Sequence, residues 1–402
     1  TSSALVEWLA QAGLRNVPLE DLVDGFGRRL NGAGVAVERL FVGMNTLHPM
    51  VRARSLIWDH GQGITKQFEF VHAEIDSAEI RQSPFDPMLR DGIAERRYRF
   101  DTGADVPALP VFEELQAAGT VEWMGWVLPL GELAPRVGGA TEVEHAERGW
   151  LVVSATTSQP GGYRVEDVAL LRQVIQVFAV AIKAVTTRAI GHGLLAAYLG
   201  NDPASRVYAG TVLRGEVQSV EAVLLFADLQ GFTALADTVP GRDLIALLDD
   251  YLGCMVQPVV DHGGEVLKFM GDGLLAAFAV VGGDRAAVCA DALKAATEAL
   301  ALVDRLNMDR RAGGQPAAGL DVSLHIGKVL YGNVGSDTRL DFTVIGPAVN
   351  EASRIEALCT PLGRPLLMSR AFAEAATLSQ DRLVSLHRLR GVREETELFG
   401  LS

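Results

Sequence analysis

The chain predicts an α+β protein of two domains joined by a helical connector, and three observations carry that prediction. Its 402 residues suit two domains. All five tryptophans (Trp8, Trp58, Trp123, Trp126, Trp150) precede residue 151, a compositional break near the middle. The stretch from Glu221 to Ala279 reads as strand, helix and hairpin, with one aspartate at the first strand's end and another in the hairpin turn. The first domain is placed at 1–187, the connector at 188–220 and the second domain at 221–402.

In the first domain a short helix is expected over Ala4–Ala12. A second follows Asn16, with Pro18 in its first turn and Leu22, Val23, Phe26 and Leu30 on one face. Strand patterns cover Val37–Met44, Val51–Trp58, Ile64–Val71, Val121–Leu130 and Gly149–Thr156, with a helix near Pro110–Ala118 closed by Gly119. A terminal helix runs from about Val165 to Thr187. In it Val168, Leu171, Ile175, Phe178, Ile182 and Val185 recur at 3-4-3-4-3 spacing, which reads either as a two-helix seam or as a plainly buried helix. A second row, Leu170, Val174, Val177, Ala181 and Ala184, suits packing on the domain's own sheet. The order of elements resembles a GAF or PAS-like sensor domain, which implies a small ligand of unknown identity. His48, His60, His72 and His145 have no metal spacing and read as structural or surface residues.

In the connector, Gly191 and Gly193 are expected to interrupt the helix. Short helices should follow at Leu194–Leu199 and from Asp202-Pro203 to Tyr208.

The second domain opens with an apolar run, Ala222–Ala227, too short for a helix, that delivers Asp228 at its end. A helix fits Arg242–Asp261, with Leu244, Leu247, Leu248, Tyr251 and Met255 on one face and Gly263-Gly264 as its stop. Val266–Met270 and Leu274–Phe278 meet at Gly271-Asp272-Gly273, a tight-turn composition. Aspartates are common in turns. Here, however, two sit where strand ends leave the core, beside a Gly231-containing loop whose backbone N–H groups can approach phosphate. Hard divalent cations take such oxygen ligands. Lys268, among apolar neighbours, calls for a partner. Beyond these, a helix fits Arg285–Leu306, a Gly-rich antiparallel pair Val322–Ile326 and Val329–Val334, a helix Pro347–Leu358, and strands Leu366–Met368 and within Leu383–Leu401. That order matches a ferredoxin-like β-α-β-β-α-β core on an antiparallel sheet. Gly282-Gly283-Asp284-Arg285 is similar to the opening of a diguanylate cyclase signature but lacks the following Glu-Phe, and reads as an N-cap loop.

Three segments, F-A-D-L-Q-G-F-T, K-F-M-G-D and T-V-I-G-P-A-V-N-E-A-S-R (Thr343 to Arg354), together resemble the class III nucleotidyl cyclases in order and spacing. The resemblance covers about residues 205–400. It implies a ferredoxin-like catalytic domain in which Asp228, Asp272 and the Leu229 carbonyl hold two divalent cations, Mg²⁺ or Mn²⁺. Gly231, Phe232 and Thr233 would contact the triphosphate through their backbone. Lys268 and Thr343 would read adenine, Thr343 standing where many members have Asp, as in the class IIIb subgroup. Asn350 and Arg354 would orient ribose and stabilise the transition state, with Arg390 a further triphosphate contact. The family draws its metal aspartates from one subunit and the other residues from the partner, so the resemblance implies a head-to-tail homodimer with the exit helix as a further contact. It implies an adenylate cyclase acting on ATP; a guanylate cyclase and an inactive regulatory homologue are the alternatives.

Composition narrows the partners. A net charge of −14 disfavours nucleic acid and anionic membranes, and leaves a polyphosphate to be attracted by local cations and metal. No apolar run reaches a membrane span, since the richest, Val165–Val185, contains Arg172, Gln173 and Lys183. No signal peptide is evident. Cys254, Cys289 and Cys359 lie far apart without C-x-x-C spacing and read as reduced thiols of a cytoplasmic protein.

Overall fold

A computed structural model of the chain describes residues 2–46, 51–71, 81–102, 105–132, 148–379, 382–388 and 395–401. The chain forms two compact units, Thr1–Leu194 and Leu195–Ser402. His48, His72, His145 and Arg390 lie outside the described residues.

The first unit is built on a six-stranded antiparallel sheet. Its strands are β1 (Arg39–Asn45), β2 (Ala53–Asp59), β3 (Gly63–Phe70), β4 (Glu95–Arg99), β5 (Glu122–Glu132) and β6 (Arg148–Thr157), in spatial order β3-β2-β1-β6-β5-β4. Alternation sends Leu40, Val42, Met124, Trp126, Leu151 and Val153 to one face, under α1 (Ser2–Arg15), α2 (Leu19–Gly32) and α5 (Val165–Leu199). The opposite face carries an aromatic cluster of Phe85, Tyr98, Phe112 and Trp123 beneath α3 (Phe85–Asp91) and α4 (Pro110–Ala117). Strand β4, Glu-Arg-Arg-Tyr-Arg, was not expected: its charged side chains hide the strand pattern, and pairing with β5 supplies what composition lacks.

One expectation about the exit helix fails, and of the two readings of its apolar row the buried helix is the one found. Gly191 and Gly193 do not interrupt it; α5 runs unbroken for 35 residues. A helical glycine costs only about 1 kcal/mol, which flanking alanines and leucines outweigh. The row proposed as a two-helix seam is buried inside its own unit: Leu171, Ile175 and Ile182 belong to its core, and Phe178 stacks on Phe26 at 3.9 Å between centroids. By length and composition α5 passes as a candidate membrane span, although half of its most apolar window is buried in the structure.

Where β4, β5 and the start of α5 meet, Glu122 is completely buried and pairs with Arg97. It also accepts the Tyr163 N–H at 2.9 Å, while Arg97 donates to the Tyr163 carbonyl at 3.1 Å. The carboxylate thus has a cation and a backbone donor within its own unit.

The second unit starts with α6 (Asn201–Tyr208), followed by β7 (Val217–Gln230), α7 (Phe232–Ala236), α8 (Gly241–Asp261), β8 (Glu265–Met270), β9 (Gly273–Ala279), α9 (Arg285–Ala312) and β10 (Gly319–Gly335). Then come β11 (Leu340–Ile345), α10 (Pro347–Glu356), α11 (Cys359–Leu362), β12 (Leu366–Ser369), α12 (Arg370–Ala375), β13 (Leu383–His387) and β14 (Thr396–Gly400). The sheet order β13-β14-β12-β10-β7-β9-β8, with β11 on β10, contains the run β10-β7-β9-β8, every neighbour antiparallel. This is the ferredoxin-like arrangement that the element order predicts. Val223, Leu225, Ala227 and Leu229 face α8 and α9, whereas Ala222, Leu224 and Phe226 face α10. Asp284 caps α9 by accepting from the Ala287 N–H at 3.0 Å, so the Gly-Gly-Asp-Arg stretch is indeed an N-cap loop.

The expected hairpin between Val322–Ile326 and Val329–Val334 does not exist. β10 is one 17-residue strand that pairs with β7 from Gly319↔Gln230 to Gly332↔Val217. Gly327 is there for clearance: a Cβ would lie 2.7 Å from the Ala348 Cβ of α10. A buried polar staple sets where β10 begins. The Tyr251 hydroxyl accepts the Ala318 N–H at 2.8 Å, and Asn307 donates to the Ala318 carbonyl at 2.8 Å, tying α8 and α9 to that residue.

Candidate active site

The even face of β7 runs out of apolar residues at Phe226, and the next two side chains on it are Asp228 and Gln230. Pairing of Ala227 with Leu274 places Asp228 opposite Gly273, the residue after Asp272. A Cβ at Gly273 would lie 2.5 Å from Asp228 Oδ1, so the glycine keeps a nook open beside the carboxylate. Gly271 at φ 73° makes the turn that presents Asp272. The structure thus brings the two predicted metal aspartates together.

Two acids that sequence reading missed join them. Asp321, on β10, pairs directly with Asp228 across the ladder. Glu356 ends α10. Burial pushes the Asp228 carboxyl up to about 6, with Asp272 and Asp321 adding repulsion. Burial likewise raises Glu356 to about 7, helped by Asp228, Asp321 and Asp272. Among the described residues the charges acting on these two groups are all negative, and neither Lys268 nor Arg354 offsets them. Among the described residues no three His, Cys, Asp or Glu side chains converge on a single metal point.

The phosphate-loop residues follow directly. Gly231 takes φ 73°, a conformation that favours glycine, and caps α7, which begins at Phe232 and Thr233. The Phe232 ring packs partly on the core below, leaving its backbone at the loop. Leu229 is buried, so only its main chain can serve a cation.

The predicted base-reading residues form a separate group. Lys268 is half-exposed rather than enclosed by apolar neighbours, and donates to Asp341 Oδ2 at 2.7 Å. Asp341 and Thr343 are two apart on β11 and so share a face. Asp341 was missed because its link to Lys268 spans 73 residues; the period-two offset from Thr343 was the available signal. Asn350 and Arg354 lie one turn apart on α10, and neither side chain has a partner among the described residues. His325 is buried and its Nδ1 has no partner among the described residues.

Residues 216–366 match the family described as the adenylate and guanylate cyclase catalytic domain. An adenylate cyclase of Anabaena cylindrica is 34% identical over 161 residues, 39% of this chain and 31% of that protein. The crystal structure of the adenylyl cyclase CyaB from P. aeruginosa is 25% identical, covers 46% of this chain and 96% of its own, and has a TM-score of 0.42. That of the guanylyl cyclase Cya2 is 25% identical, covers 46% of this chain and 92% of its own, and has a TM-score of 0.40. The chain spans less than a third of the length of the first three curated relatives it matches.

Proposed function

We propose, from the match of residues 216–366 to the adenylate and guanylate cyclase catalytic domain family, that the chain converts ATP to 3′,5′-cyclic AMP and pyrophosphate at sites shared between two copies. The observation that carries the reading is the segregation of charge. Asp272 and Asp321 disfavour the charged forms of Asp228 and Glu356, and among the described residues no cation offsets them, while Lys268 is paired with Asp341 and Arg354 has no partner among the described residues. A second copy, apposed head to tail, supplies those groups to the acids and receives the same in return. Phe269, Met270, Leu330, Leu340 and Ile345 expose large apolar side chains on β8, β10 and β11, a surface suited to such a contact.

Two divalent cations, Mg²⁺ or Mn²⁺, suit the acidic side. The donors are hard oxygens, and the nook at Gly273 leaves space beside Asp228. Asp228, Asp272 and the Leu229 carbonyl would hold them, and the chemistry they supply is polarisation of the attacking 3′-oxygen and neutralisation of the polyphosphate. The chain's own residues do the rest by position and charge. The Gly231–Thr233 backbone receives the phosphates. The partner's copy of the lysine and threonine pair holds adenine, its asparagine orients ribose, and its arginine meets the charge that grows on the α-phosphorus as the 3′-oxygen attacks and pyrophosphate departs. The first unit is read as regulatory. The three free cysteines fit a cytoplasmic location.

Guanine is a second reading, favoured by one observation. A lysine cannot accept a hydrogen bond, but Asp341 beside it can accept from guanine N1–H. Incubating the purified protein with ATP or GTP plus Mg²⁺ or Mn²⁺, and separating the products by chromatography, decides between them. Cyclic AMP is expected; cyclic GMP as the main product would overturn the base assignment, and no product from either nucleotide would overturn the enzyme.

A further inference from the structure

Asp321 is 5% exposed and has no ion pair among the described residues. Its two oxygens are taken by neutral donors: Gln230 Nε2 at 2.6 Å and Thr360 Oγ1 at 2.6 Å. An asparagine would be hydrogen-bonded as well in that place, with a flipped Gln230 amide, and would avoid burying a charge. The Asp321 charge also disfavours the charged forms of Asp228 and Glu356, an effect an asparagine would not have. Packing and hydrogen bonding therefore do not account for a carboxylate here.

Position does account for it. Asp321 is the ladder partner of Asp228. Gln230, which holds one of its oxygens, is the last residue of β7 before the Gly231 turn. Thr360 reaches it from α11.

We propose that Asp321 is a positioning residue of the cation site: its charge deepens the potential that draws divalent cations to Asp228 and Asp272, and its bond to Gln230 fixes the strand end that carries Asp228. Its role is through its charge and its bond to Gln230, not as a ligand. The inference rests on the cation-dependent reading of the site given above.

Binding of Mn²⁺ alone to the full chain, without nucleotide, tests it by electron paramagnetic resonance titration, with thermal unfolding in EDTA as a second readout. Asp321→Asn should weaken Mn²⁺ binding by roughly ten- to a hundredfold. In EDTA the same variant should unfold no earlier than the wild type, because a repulsive charge has gone. Thr360→Val removes one brace and keeps the charge, so its Mn²⁺ affinity should stay within about threefold of the wild type, well inside the loss expected of charge removal. Unchanged Mn²⁺ affinity in Asp321→Asn would overturn the inference. So would earlier unfolding of that variant in EDTA, which marks a structural role. If Asp321→Asn does not fold, a tenfold or greater loss of affinity in Thr360→Val would overturn it too. A wild-type chain that binds no Mn²⁺ would instead remove the proposed function on which the inference stands.

Discussion

Glu122 in the first unit and Asp321 in the second are both buried carboxylates on sheet strands, and the fold treats them in opposite ways. Glu122 meets Arg97 and a backbone N–H, so its charge is settled within the unit. Among the described residues Asp321 meets only an amide and a hydroxyl, and looks across at a further aspartate. The first arrangement is what a structural buried ion requires. The second suits a place to which positive charge is brought from outside, as proposed for the cation site, and a buried acid without an ion pair points to function where a satisfied ion pair does not.

The largest effect that could break this contrast is on catalysis. Asp272→Asn and Arg354→Ala should each lower cyclase activity by about a thousandfold, because on the proposed reading each removes one half of a shared site. Mixed in heterodimers they should partly recover, since one of the two composite sites is then wild type; absence of recovery in verified heterodimers would contradict sharing. Next in size is the response to pH. Asp228 and Glu356, raised to about 6 and about 7, bind protons in the fold that they release when unfolded. The metal-free second unit should therefore lose about 5 kcal/mol of stability as pH climbs from about 4 to about 7, before the screening that water gives two half-buried groups. Mg²⁺ or Mn²⁺ should abolish that loss. Thermal unfolding across that window in EDTA and in excess Mg²⁺ provides the check; a metal-free curve that rises with pH would mean that these acids are not repelling one another. Smaller still, Arg97→Ala should destabilise the first unit by about 3 kcal/mol, at the low end for an unpaired buried charge because water reaches the arginine side. Its Mn²⁺ affinity should not move, and a change there would blur the distinction between the two carboxylates.

The parts of this site legible in the sequence were those specified within a few residues. Asp228 closes an apolar run, Asp272 sits in a Gly-Asp-Gly turn, and Asn350 and Arg354 share a helical turn. Asp321, Asp341 and Glu356 were not legible, since each matters through a partner 73 or more residues away: 91 to Gln230 for Asp321, 73 to Lys268 for Asp341. Register, not local pattern, makes those pairs. Fold errors had the same origin. Glycine was read as punctuation at Gly191, Gly193 and Gly327, whereas the helix absorbs the first two and the third gives α10 room. The exit helix's apolar row was real, but the aromatic ring of Phe26, far off in the chain, already occupied it.

The tie between Tyr251, Asn307 and Ala318 has a bearing on chemistry that it never touches. Ala318 immediately precedes β10, so the tie is the peg from which seventeen alternating residues are counted. A slip of a single place would turn odd into even. Leu320, Val322 and Leu324 would then stand among the acids, and Asp321, Ser323 and His325 would be driven into oil. The parity of a long strand, and with it the sign of the charge at its far wall, is decided by one phenol and one amide in the hinterland of the sheet.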